Sequence, residues 1–106
     1  MRIGWMLAAV FACVTASSAQ ADETADGQAL VERLCSGCHA MAPGVASPHP
    51  DAPPLAEVAH RYEPADLAET FAEGAMVGHS DMPEFELSAD DIEALVSYLE
   101  ELKKGG

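Results

Sequence analysis

The pattern most able to do chemistry is Cys35-Ser36-Gly37-Cys38-His39, two cysteines two residues apart followed by a histidine. One turn of chain can present both thiols to neighbouring vinyl groups of a porphyrin, where each forms a thioether. The adjacent imidazole is then held against the porphyrin face and can ligate iron. The spacing therefore predicts covalent attachment of one haem through Cys35 and Cys38, with His39 as an axial ligand.

Three other interpretations of this motif are a zinc half-site, a redox dithiol and a local disulfide. Tetrahedral zinc usually takes four protein ligands from two such pairs, and no second cysteine pair follows. His49 and His60 lack the close spacing of a zinc finger, and we expect both on the surface. A redox dithiol of the thioredoxin type belongs in a βαβ pattern, which the sequence does not show. These contrasts favour haem.

The sixth iron ligand decides the function, because an open position permits gas binding or peroxide chemistry and a closed one permits only electron transfer. Met82 is our prediction, since Pro83 biases it into an extended loop. Met76 and His79 stay open as rivals for this position. Met41 follows the motif histidine too closely to reach the opposite face.

Residues 1–21 are predicted to be a secretory signal peptide. Arg2 is the only charge in this stretch, a mostly apolar run follows over residues 3–16, and Ala19 and Ala21 place small residues at a cleavage site. The run is shorter than the ~20 residues that span a bilayer, so a permanent anchor is the weaker alternative. The signal predicts a periplasmic protein with a domain over residues 22–106.

The amino-acid composition of the chain excludes further classes of protein. Eighteen acidic residues against five basic ones give a formal charge of −13, which argues against nucleic acid as a partner. The 49% hydrophobic fraction argues against disorder. Cys13 would be removed with the signal peptide. The remaining domain is small and has few aromatic residues, so it needs extra core volume. A covalent macrocycle would supply it.

Helical patterns dominate and strand signals are weak, so the fold class is all-α with long loops. Residues 43–54 contain five of the seven prolines and are predicted to be an irregular loop. Pro64 and Gly74 mark the start and end of one helix, and Ser88 caps the last one. The remaining predicted helices are residues 24–34 and 55–60. Ile92, Leu95, Val96, Leu99 and Leu102 form one apolar stripe on the last helix.

The chain resembles the class I c-type cytochromes, small bacterial monohaem proteins in which three to four helices wrap around one haem. Gly27, in the first helix, matches the family's close-packing glycine, and Leu95 and Tyr98 look like its partners in the last helix. The run Ala52-Pro53-Pro54-Leu55 is similar to the family's Gly-Pro-x-Leu. The resemblance implies that the carbonyl of Pro53, or of Pro54, accepts a hydrogen bond from the axial histidine.

The resemblance also implies that Met82 is the distal ligand and makes Arg61 and Tyr62 candidates for contact with the haem propionates. The implied function is one-electron transfer between redox partners by a monomer that transforms no substrate. Asp81, Glu84 and Glu86 surround Met82 and predict basic or weakly charged partners. The alternatives are a haem subunit of a larger periplasmic oxidoreductase and a gas or redox sensor with a labile sixth ligand.

Overall fold

A computed structural model describes residues 10–12, 16–74 and 81–105. These residues form four helices: α1 over Ala16–Leu34, α2 over Leu55–Arg61, α3 over Pro64–Glu73 and α4 over Ala89–Gly105. Within these ranges there is no strand, which confirms the all-α class. None of the described helices combines the length and apolar composition needed to cross a membrane.

The predicted helix boundaries are correct for α2, α3 and α4 to within one residue. Pro64 occupies the first turn of α3, and Gly74 ends it in the left-handed conformation at φ 75°. Asp91 N–H donates to Ser88 Oγ over 3.0 Å, and Ser88 N–H donates to Asp91 Oδ2 over 3.3 Å, a reciprocal cap at the start of α4.

The predicted start of the first helix at Thr24 is wrong, because α1 begins at Ala16. The stretch between these positions contains alanines, serines and a glutamine but no proline or glycine. Nothing in it interrupts a helix, and alanine has the highest helix propensity. Composition around residue 21 therefore marks no helix boundary.

The helices α1 and α4 cross at Gly27, and α2 and α3 pack on α4. A Cβ added to Gly27 would overlap the carbonyl oxygen of Ala94 and would lie only 2.9 Å from Tyr98 Cβ. Tyr98 is a predicted partner of this glycine and is confirmed, and the backbone of Ala94 is a further contact that the sequence did not predict. Leu95, the other predicted partner, is buried in the core.

The core lies where α1, α2 and α3 meet α4. Its buried members are Leu30, Val31, Leu55, Ala59, Leu67, Leu95, Tyr98 and Leu99. Cys35 and Met41 pack against this core, so the first residues of the long loop after α1 lie beside the hydrophobic centre. Met41 is thus part of the core packing.

The loop from residue 35 to residue 54 has no regular secondary structure, as its prolines predict. Backbone hydrogen bonds nevertheless fix it at both ends. Leu55 N–H donates to Ala40 O over 3.0 Å and His49 N–H donates to Cys38 O over 3.1 Å. Ala40 N–H, in a buried residue, donates to Ser47 Oγ over 2.9 Å. The loop is therefore folded back on the turn that carries the two cysteines.

Candidate cofactor site

The two cysteines lie on a turn that continues directly from α1. Cys35 N–H donates to Val31 O over 2.8 Å, and Cys38 N–H and His39 N–H both donate to Cys35 O, over 3.1 and 2.9 Å. Both thiols are free and half-buried. The turn therefore presents two reduced thiols and an imidazole from one compact piece of backbone.

His39 is the buried polar residue of the described core, with 8% of its surface exposed. Its Nδ1 atom lies 2.7 Å from the carbonyl oxygen of Pro53. A carbonyl only accepts, so Nδ1 carries the ring proton, and Nε2 is the nitrogen with the lone pair. This tautomer suits metal ligation through Nε2, and the carbonyl contact orients the ring and raises its basicity.

A cavity of about 120 Å³, partly open to solvent, adjoins this histidine. Most of its wall is apolar, with Leu55, Val58, Leu67, Phe71, Leu95 and Leu99 contributed by α2, α3 and α4. Cys35 and Pro53 line the side next to the motif turn. A concave, mostly apolar site with a few polar groups is typical of cofactor binding.

Met82 also lines this cavity. It is half-buried in an irregular segment, between exposed Asp81 and exposed Pro83. The rival ligands Met76 and His79 lie outside the described residues. The structure thus brings one thioether and the imidazole of His39 to the same cavity.

Arg61 and Tyr62 line the same cavity at the end of α2. The Arg61 guanidinium forms an ion pair with Glu57 at 2.6 Å, one turn earlier on α2. Tyr62 has 37% of its surface exposed. Both side chains therefore lie at the cavity and near solvent, where an anionic substituent of a bound group would be reached.

Burial raises the pKa of the Cys35 thiol from 9.0 to about 11, and the nearby Cys38 contributes a smaller part of this shift. A reactive redox dithiol needs the opposite shift, toward a lower pKa. A thioether carries no charge and has no such requirement. The raised pKa of Cys35 therefore fits a covalently attached haem better than a redox dithiol.

The other two described histidines take different positions. His60 is exposed on α2, as predicted. His49 is half-buried, with 27% of its side chain exposed, and its Nε2 lies 3.2 Å from Asp81 Oδ2. Its partner is distant in sequence, so only the folding of two loops against each other brings the pair together.

Sequence patterns did not identify Asp51 as a residue of the cavity wall. The proline-rich composition around it predicts a loop but not which of its side chains face inward. Phe71 had a detectable signal, because it shares a helix face with Leu67 four residues earlier. That spacing indicates a buried face but not that the face borders a cofactor site.

A family model described as cytochrome c oxidase, cbb3-type, subunit III matches residues 22–99. The matched range contains the motif turn, Pro53, the cavity helices and Met82. No curated protein and no solved structure matches the chain.

Proposed function

This chain belongs to the family described as cytochrome c oxidase, cbb3-type, subunit III, and we propose that it is a periplasmic one-electron carrier with one covalently bound haem. When bound, haem c supplies an iron that cycles between the ferrous and ferric states. One electron enters from a reduced donor protein and leaves to an oxidised acceptor protein. No bond of a substrate is made or broken, so the protein is not an enzyme in this proposal.

The observation that carries the proposal is the meeting of Cys35, His39 and Met82 at one apolar cavity. Cys38 lies on the same turn as Cys35, and the two cysteines would hold the cofactor. His39, fixed by its 2.7 Å contact with the Pro53 carbonyl, would ligate the iron. Met82 would supply the second ligand and close the sixth position. A soft thioether favours the ferrous state and raises the reduction potential.

The apolar wall from α2, α3 and α4 keeps water away from the cofactor. Arg61 and Tyr62 contact its propionates in this proposal. Arg61 would do so while its guanidinium is shared with Glu57, because the fork of five donors can serve two carboxylates.

A mass measurement tests the attachment. Protein matured in a periplasm with haem-attachment machinery should carry the added mass of one haem, and substitution of both Cys35 and Cys38 by alanine should remove it. Two haem masses, or none on the wild-type chain, would contradict the proposal.

The ligand assignment is tested by Met82→Ala with Met41→Ala as the control. The ferric wild type should show the weak near-infrared band of a thioether ligand, and the reduced form should resist carbon monoxide at neutral pH. Met82→Ala should lose the band, bind carbon monoxide and have a lower reduction potential. Met41→Ala, which removes a methionine from the core, should keep the band. An unchanged band in Met82→Ala would transfer the role to another methionine such as Met76, and a wild type without the band would contradict thioether ligation.

The sixth ligand also separates this proposal from a gas or redox sensor with a labile ligand. A sensor would bind carbon monoxide as the wild-type protein, without any substitution.

The description of the family as an oxidase subunit favours a second candidate, a haem subunit of a larger oxidoreductase complex. The carrier should purify as a monomer by light scattering. The subunit should purify with a catalytic chain when the membrane fraction is solubilised in mild detergent. Recovery of such a complex at fixed stoichiometry would replace the diffusing carrier with this candidate.

Partners with basic docking surfaces are part of the proposal. Asp81, Glu84 and Glu86 are exposed on both sides of Met82, and complementary charge accelerates encounter by 10-fold or more at low salt. Reduction by a cationic metal–ammine complex should therefore slow as ionic strength rises, and oxidation by an anionic metal–cyanide complex should speed up. Substitution of Glu84 and Glu86 by glutamine should weaken both trends more than Glu69→Gln on α3. Rates that do not respond to ionic strength would contradict a charged docking face.

A further inference from the structure

His49 is fixed to the turn that carries the cysteines. Its backbone N–H donates to Cys38 O over 3.1 Å, and its carbonyl accepts from Ala52 N–H over 3.2 Å. The imidazole therefore starts from a backbone position that the motif turn itself determines.

The ring of His49 is oriented by a second loop contact. Asp51 N–H donates to His49 Nδ1 over 3.0 Å. A backbone N–H only donates, so Nδ1 is the accepting nitrogen and Nε2 carries the proton. Nε2 lies 3.2 Å from Asp81 Oδ2, and a neutral imidazole can thus donate a hydrogen bond to this carboxylate.

Asp81 directly precedes Met82, in a segment with little backbone support. Among the described residues, no backbone-to-backbone hydrogen bond involves residues 81–87. The end of this segment is held because Leu87 packs against the core. Its beginning is held by the contact between Asp81 and His49.

We propose that His49 is a positioning residue for Met82: it ties the segment of the distal ligand, through Asp81, to the turn that carries the two thioether cysteines. The proposal rests on the function proposed above, because it assigns Met82 as the ligand. The consequence is mechanical: one hydrogen bond joins the two sides of the cavity, and its loss lets Met82 withdraw from the sixth position more often.

The expected effect is modest, because the His49 and Asp81 side chains are 27% and 63% exposed. Contacts of this kind between partly exposed groups change an equilibrium by a factor of about 2 to 5. His49→Ala and Asp81→Ala should therefore each raise the rate of carbon monoxide binding to the reduced holoprotein about threefold. The double variant should show no further rise, because each single substitution already removes the contact.

Matched controls separate the contact from general effects. His60→Ala removes an exposed histidine from α2, and Glu69→Ala removes an exposed carboxylate from α3; both should leave the rate unchanged. All samples contain EDTA, because His49, Asp51 and Asp81 offer ligand atoms within 4.8 Å of one another and a stray divalent cation could join them. Without it, such an ion could hide the loss of the hydrogen bond.

Hydrogen exchange gives a readout that does not depend on the iron. The amides of residues 49 and 52, which are hydrogen-bonded in the loop, should exchange about threefold faster in both single variants, while amides of the α1–α4 core keep their wild-type rates. Faster exchange throughout the molecule would mean a general loss of stability and would overturn the positioning role.

The outcomes distinguish the two proposals. If Met82→Ala opens the sixth position but His49→Ala leaves both carbon monoxide binding and exchange of residues 49 and 52 as in the wild type, the positioning role is wrong and the proposed function stands. If Met82→Ala changes nothing, Met82 is not the ligand and His49 does not position one, even where exchange reveals the contact. Additive effects of His49→Ala and Asp81→Ala would likewise overturn the proposal.

Discussion

The crossing of α1 and α4 and the loops beside the cavity are held together in different ways. At the crossing, the backbone of α4 lies so close to Gly27 that even a methyl group does not fit. The loop part of the cavity wall, which we define as residues 40–54 and 81–87 and call the loop wall, contains no helix and depends on single hydrogen bonds such as those of Ser47 and His49. Close packing tolerates no change in shape, whereas isolated polar contacts can be lost one at a time. We therefore expect the crossing of α1 and α4 to unfold as a unit and the loop wall to unfold locally.

Among the substitutions that test this comparison, Gly27→Ala should lower the free energy of unfolding most. The added Cβ would overlap the Ala94 carbonyl and lie 2.7 Å from its carbon, so the two helices must separate. Overpacking usually costs about 1–3 kcal/mol, and contact with backbone rather than a flexible side chain places this variant at or above that range. Urea unfolding followed by circular dichroism measures it. Gly105→Ala, where an added Cβ meets nothing within 4 Å, should be near neutral; equal effects of the two substitutions would refute the packing argument.

Ser47→Ala tests the loop wall. It removes the acceptor of Ala40 N–H, and an unsatisfied buried donor costs about 1–3 kcal/mol. We expect faster hydrogen exchange in residues 40–47 and a smaller loss of unfolding free energy than in Gly27→Ala. The control is Ser97→Ala in the middle of α4. A loss of α1 and α4 protection equal to that in the loop wall would show that the two regions do not fail separately.

Ser88→Ala should lower the free energy of unfolding less. Ser88 lies between the loop wall and α4. The substitution removes the hydroxyl that accepts from Asp91 N–H, and loss of such a cap costs about 1 kcal/mol. The first turn of α4 should fray, with faster amide exchange near residue 91. Protection there equal to that in Ser97→Ala would contradict a capping role.

Tyr98→Phe should have the smallest effect, visible only in alkali. Burial, and secondarily the charge of Glu32, raises the pKa of the Tyr98 phenol above its ordinary value of 10.0. The folded state therefore holds this proton more tightly, and the resulting stability is fully present below the unfolded pKa and lost as pH rises through the folded pKa. Urea unfolding between pH 8 and 11 should show a steeper decline for the wild type than for Tyr98→Phe. Parallel declines would exclude this contribution.

The two regions also differ in how far the sequence predicts them. The α3 boundaries follow from Pro64 and Gly74, and the α4 cap follows from Ser88, because these signals act on adjacent residues. The start of α1 was wrong because no local breaker marks it. The contact of Gly27 with Tyr98 was predicted, but the closer contact with the Ala94 backbone was not, since a close approach between backbones depends on the crossing geometry of two helices and not on the pattern of either one.

For the candidate site, the sequence alone determined the chemistry of attachment: the spacing of Cys35 and Cys38 and the adjacency of His39 fix what can bind, because bonded neighbours keep their distances in any fold. Only the tertiary structure decided which distant groups face them. It brought the Pro53 carbonyl to His39, Met82 to the same cavity and Asp81 to His49. Contacts across long loops depend on how the whole chain packs, and no local pattern encodes them.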